Sequence, residues 1–88
     1  MAINLRIANS NDASEIATLT QELGYGVSEK ETLEWLSVLL GSNTHQVIVA
    51  ADNDSRLLGW IVVEQRFSLE AGLQAEISGL VVRATAQR

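Results

Sequence analysis

The sequence predicts an α+β domain ordered strand–helix–helix–strand–strand–strand, a mainly antiparallel sheet carrying two helices. Three observations lead there. Apolar residues alternate at Ile3, Leu5 and Ile7; two helix-start signatures precede apolar residues spaced three or four apart; and beyond His45 three β-rich runs are separated by turn clusters.

The first run, Ile3 to Ile7, interleaves its apolar residues with Asn4 and Arg6, the period of a strand with one buried face. Asn9-Ser10-Asn11-Asp12 is a turn cluster. Asp12, three residues before Glu15, gives a capping-box-like entry into a helix carrying Ile16, Leu19 and Leu23 on one stripe. Gly24 is placed to end it, because glycine enters the left-handed conformation at little cost. Ser28 and Glu31 form a second S-x-x-E start. Leu33, Leu36 and Leu40 repeat the helical spacing, Trp35 and Leu39 widen the stripe, and Gly41 closes the run.

Val47-Ile48-Val49-Ala50-Ala51 is compact and β-branched, a buried strand, and Asp52-Asn53-Asp54-Ser55 supplies a hairpin turn. The strand from Arg56 to Phe67 is apolar on both faces through its first half, which predicts cover on both sides. After a connection over 68–72, Leu73 to Arg83 forms the last strand, with Leu73, Ala75, Ile77, Gly79 and Val81 assigned to one face. Gly79 in mid-strand signals a bulge or a close backbone approach.

Composition narrows the function classes. With 47% hydrophobic and 19% charged residues, the 88-residue chain suits a single folded core rather than disorder. Its basic residues, Arg6, Lys30, Arg56, Arg66, Arg83 and Arg88, are scattered and the net charge is −5, so the clustered cationic footprint of a nucleic-acid binder is missing. The longest apolar run, 57–63, is far short of the roughly 20 residues that span a bilayer. No basic–apolar leader opens the sequence, and without cysteine there is no disulfide framework, thiol nucleophile or thiolate metal site. The expected location is the cytoplasm, with no membrane, nucleic-acid or metal partner.

Three segments, in order, resemble the N-terminal half of the GNAT N-acetyltransferase domain. Ile3-Asn4-Leu5-Arg6-Ile7-Ala8 followed by Asn11-Asp12-Ala13 is similar to the family's opening strand and its R-x-A-x-x-x-D entry into the first helix. Val47 to Asp52 followed by Leu58-Gly59-Trp60-Ile61 resembles its hairpin. Ala75-Glu76-Ile77-Ser78-Gly79-Leu80-Val81-Val82 resembles the strand beside the cofactor, which leads in the family into a Q/R-x-x-G-x-G/A loop. Gln87 falls at the loop's first position and Arg88 at the next, and the loop's two glycines are absent from these 88 residues. Residues 1–88 thus read as one partial GNAT-like domain.

The resemblance implies acetyl transfer from acetyl-coenzyme A to an amine of unknown identity, with little activity expected of this polypeptide alone. It implies that backbone groups at Leu80, Val81 and Val82 line the pantetheine arm, that Gln87 and Arg88 begin the pyrophosphate site, and that Glu76 is the candidate general base. An ordinary core strand and a solvated glutamate are the plain alternatives. Tyr25 and Trp35 are candidates for an acceptor pocket, with packing as the equal alternative. Glu29, Glu31 and Glu34 suit the positive end of the second helix. His45 lacks a partner at ligand spacing, and Ser78-Gly79 is not a G-x-S-x-G elbow. The rival reading is a non-catalytic α+β interaction module. In either case Leu73 to Arg83 is expected to be an open edge, and a homodimer through it is predicted.

Overall fold

Runs adjacent in the sequence become neighbouring strands. The computed structural model describes residues 3–83. Strand β1 (Asn4–Ile7) leads through a single 3-10 turn (Ser10–Asp12) into helix α1 (Ala13–Glu22) and helix α2 (Glu29–Leu40). Strands β2 (His45–Ala51), β3 (Leu57–Ser68) and β4 (Gly72–Val82) follow. The sheet has the order β1-β2-β3-β4 and every pair is antiparallel, as the element order predicts.

The ends of the helices follow their side-chain chemistry. At α2 the Ser28 hydroxyl accepts the Glu31 amide while Glu31 accepts the Ser28 amide, both at 3.0 Å, the reciprocal box the sequence predicts. Gly24, at φ +95°, donates to the Gln21 carbonyl and turns the chain away from α1.

The start of α1 is built differently from the expectation. The capping box is formed one turn earlier, by Asn9 and Asp12, and Glu15 instead reaches across to accept the Leu57 amide at 2.9 Å. Glu15 thereby ties the first turn of α1 to the first residue of β3. Asp12 also accepts two hydrogen bonds of 2.8 Å from the Arg6 guanidinium. That hydrogen bonding holds the nearly buried Asp12 carboxyl below its ordinary pKa against the opposing effect of burial, and the same bond raises Arg6.

This ion pair decides which face of the sheet the helices cover. Arg6 must lie on the helix side, and cross-strand pairing then sets Val49 and Trp60 beside it. Ile16, Leu19 and Leu36 pack against Val47, Val49, Val62 and Val81 to form the core. The alternation seen in β1 therefore has the opposite sense from the one expected: Ile3, Leu5 and Ile7 are exposed on the far face. Leu23, Leu33 and Leu40 also stay largely exposed, so both helical stripes are narrower than the spacing suggested.

The cover expected on both sides of β3 is found on one. Among the described residues both helices lie on the same face. The opposite face presents Leu5, Ile7, Leu73, Ile77 and Leu80 to solvent around half-buried Ile48 and Ile61. Beyond the helices, the helix-side face turns polar: His45, Glu64, Arg66 and Glu76 share it at the distal end of the sheet.

Candidate functional site

Gly79 marks a bulge, as its place in mid-strand suggests. Val62 pairs with Gly79 and the next residue, Val63, pairs with Ile77, so Ser78 is the extra residue on β4. One added residue reverses the inside–outside phase of the strand. The five-residue stripe expected on one face is accordingly split. Leu73, Ala75 and Ile77 fall on the far face, whereas Val81 enters the core.

The missing side chain at Gly79 makes room for Trp60. A Cβ there would stand 2.9 Å from Cζ3 of the indole ring, too close for any residue but glycine without moving the ring. Trp60 is fixed at its other end, where Nε1 donates to the Thr20 hydroxyl at 3.2 Å; that hydroxyl in turn donates to the Ile16 carbonyl at 2.7 Å. A strand bulge, a tryptophan and the last turns of α1 are thus locked together.

Against this assembly opens a cavity of about 360 Å³, the size of a small-molecule site. Tyr25 and Val27 from the α1–α2 connection form one wall, and Trp35 and Leu39 from α2 another. Trp60, Ser78 and Gly79 close it on the sheet side. Two sequence-level candidates, Tyr25 and Trp35, are brought together here. Trp60 and Thr20 belong with them and were not marked as site residues by the sequence; the one pointer was a glycine at a mid-strand position.

The other candidates are placed as follows. Leu80 and Val81 are among the lining residues immediately after the bulge, although the Leu80 side chain is exposed on the far face. Val82 ends β4, the last strand of the sheet among the described residues. Glu76 is on the helix-side face but outside the cavity lining. Its carboxylate accepts from the Arg66 guanidinium at 3.0 Å, both side chains being about half exposed, and this hydrogen bond raises Arg66, helped by the charges of Glu76 and Glu64. Gln87 and Arg88 lie outside the described residues. His45 sits 3.8 Å from Glu64 across β2 and β3, with Ser42 and Thr44 hydroxyls each 3.0 Å from its Nδ1. Among the described residues no cluster of three or more metal-ligating side chains exists, and no helix is long and apolar enough to cross a membrane.

What this arrangement can do chemically is hold a small, largely apolar molecule against a bulged edge strand. No protein-family model and no curated protein matches the chain. Solved structures do match. A GNAT family acetyltransferase from Staphylococcus aureus superposes with a TM-score of 0.87 at 16% identity, over 100% of this chain and 67% of that one. The aminoglycoside 6'-N-acetyltransferase AAC(6')-Ih from Acinetobacter baumannii gives 0.78 at 15% identity, over 96% and 59%. The aminoglycoside N-acetyltransferase AAC(6')-Iy in complex with CoA gives 0.83 at 13% identity, over 99% and 59%. The chain therefore spans about three-fifths to two-thirds of the length of these structures, and the likeness is one of fold.

Proposed function

Because the chain carries the fold of a partial GNAT acetyltransferase domain, we propose that it is the acceptor-side part of a GNAT-type N-acetyltransferase, moving an acetyl group from acetyl-coenzyme A to an amine. The observation that carries the reading is the bulge at Ser78–Gly79, with the cavity beside it on a strand that is the sheet's edge among the described residues. An amide-bearing chain can add to such an edge as a further strand. Leu80, Val81 and Val82 are the residues proposed to line the pantetheine arm, Leu80 and Val81 in that way, and Gln87 and Arg88 those proposed to begin the pyrophosphate site. One of the similar structures is a complex with CoA, which supports the assignment of the cosubstrate.

In such a transfer the amine nitrogen forms a bond to the acetyl carbonyl carbon and the C–S bond breaks. The amine loses a proton to a base and the thiolate gains one. Among the described residues, the cavity lining holds no carboxylate or histidine. Glu76 is proposed as the acceptor of that proton through water, since it lies on the cavity's side of β4. A cytoplasmic location belongs to the same proposal.

The backbone edge alone is a weak anchor, and the G-x-G loop is not within these 88 residues. The 88-residue polypeptide is therefore expected to bind acetyl-coenzyme A weakly, with Kd on the order of 1 mM, and to show no turnover. Titration followed by amide NMR should move residues 78–82 first. Spectra unchanged at several times that concentration would remove the cosubstrate assignment.

A second reading rests on the same open edge. As a non-catalytic module, the chain would pair two copies of β4 (Gly72–Val82, the 73–83 strand of the sequence reading) and form a homodimer. Light scattering should then give twice 9.6 kDa. A monomer at micromolar concentration would count against it. Since both readings use one edge, acetyl-coenzyme A should dissociate such a dimer.

A further inference from the structure

We infer that the cavity selects an amine with an apolar, preferably aromatic, body and a single ammonium group, and that it rejects polycationic acceptors. The inference rests on the acetyltransferase reading for its meaning, but on the cavity alone for its chemistry.

The lining divides cleanly. Tyr25, Trp35 and Trp60 bring three aromatic rings to the lining, and Val27, Leu36 and Leu39 add aliphatic side chains. Among the described residues, no charged side chain lines the cavity. The polar side-chain groups among its described lining residues are hydroxyls and two indole N–H groups, and several are already committed: Thr20 donates to the Ile16 carbonyl and accepts from the Trp60 indole, and Thr32 donates to the Ser28 carbonyl. Ser78, at the bulge, is the hydroxyl nearest in sequence to the strand edge proposed for the thioester.

An aromatic ring entering this space exchanges water for ring and methyl contacts, and its amine can stay at the bulge end beside Ser78. A single ammonium can also be attracted by the faces of the tryptophans. A ligand carrying several ammonium groups meets a different balance. Each additional charge would lose its hydration against Val27, Leu36 or Leu39 with no carboxylate to receive it. The aminoglycoside N-acetyltransferases that resemble the chain in fold are thus not a guide to its acceptor.

The test uses the 88-residue chain and three probes: 2-phenylethylamine, an aminoglycoside such as neamine, and acetyl-coenzyme A. Trp35 and Trp60 both line the cavity, so their indole N–H resonances report on it directly. Phenylethylamine should shift both to saturation, and neamine at equal concentration should leave them in place. Trp35→Ala and Tyr25→Ala remove side chains that are more than half exposed, so folding is preserved. Each should weaken phenylethylamine at least fivefold.

Neamine moving the indoles, or phenylethylamine leaving them unmoved, overturns the proposal. The acetyl-coenzyme A titration is independent of it. If that ligand shifts residues 78–82 while phenylethylamine fails, the acetyltransferase reading stands and the acceptor class falls. If phenylethylamine saturates and acetyl-coenzyme A does not bind, the cavity chemistry stands and the transfer reading falls.

Discussion

Gly59→Ala is expected to lower the stability of the fold by about 2–3 kcal/mol. Gly59 lies near the start of β3, where the backbone of β4 comes unusually close. An added Cβ would stand 2.7 Å from the Val81 carbonyl oxygen and 3.3 Å from the Val82 Cα. Both are main-chain atoms in a paired strand, so no side-chain rotation relieves the contact. β3 and β4 must part locally, which strains the adjoining 2.7 Å hydrogen bond from the Arg83 amide to the Leu58 carbonyl and lifts Val81 from the core. A domain this small has a total stability of only about 5–10 kcal/mol. The urea midpoint should therefore fall by more than about 1 M. Gly26→Ala is the matched control, since a Cβ there meets nothing within 4 Å and its φ is not in the left-handed region. Equal midpoints for the two variants would show that the strands can separate without loss.

Asp12→Ala ranks second, at about 2 kcal/mol. The substitution removes the acceptor of three hydrogen bonds, two from Arg6 and one from the Asn9 amide, each 2.8 Å long. The Asn9 amide is left without its capping partner. Arg6, whose side chain is 40% exposed, recovers water, which keeps the loss below that of a fully buried pair. The pair also makes stability depend on pH. The folded-state pKa of Asp12 is lowered from its unfolded value, so its contribution is complete above that unfolded value, near pH 4. It is lost as acid carries the pH down through the lower, folded value. Between pH 5 and pH 3 the native chain should lose stability faster than Asp12→Asn, and the difference between them isolates this carboxylate from the other acids. Parallel pH profiles would assign the effect elsewhere.

The order of elements was legible because each is announced locally. Ser28 with Glu31, Gly24, the Asp52–Ser55 turn and the β-branched runs all act within a few residues of themselves. Faces are a different matter. Alternation at Ile3, Leu5 and Ile7 defines two sides of β1 but cannot say which one meets the helices, and that choice was made by Arg6 reaching Asp12. Spacing pointed to Asp12 with Glu15 as the box at the start of α1. The box that forms is Asn9 with Asp12, and Glu15 instead accepts from Leu57, 42 residues away in the chain. The cavity was least visible of all. Tyr25 and Trp35 could be suspected singly, but their meeting with Trp60 depends on long-range packing and on the hydroxyl of Thr20. Glu76 was readable as a carboxylate on the last strand, whereas its pairing with Arg66 needed the register of β3 against β4.

The extra residue at Ser78 has a consequence for how the chain can vary. Before it, odd-numbered positions of β4 face outward and even-numbered ones face the helices; after it the parity is exchanged. Leu73, Ala75 and Ile77 are thus subject to the demands of the outer surface, and Gln74 and Glu76 to those of the charged end of the sheet. Past the bulge Gly79 and Val81 answer to the cavity and core, while Leu80 returns to the outer face. The two stretches can drift independently, one altering what the surface meets and the other what the cavity admits. A single insertion lets one strand carry two separately adjustable specificities.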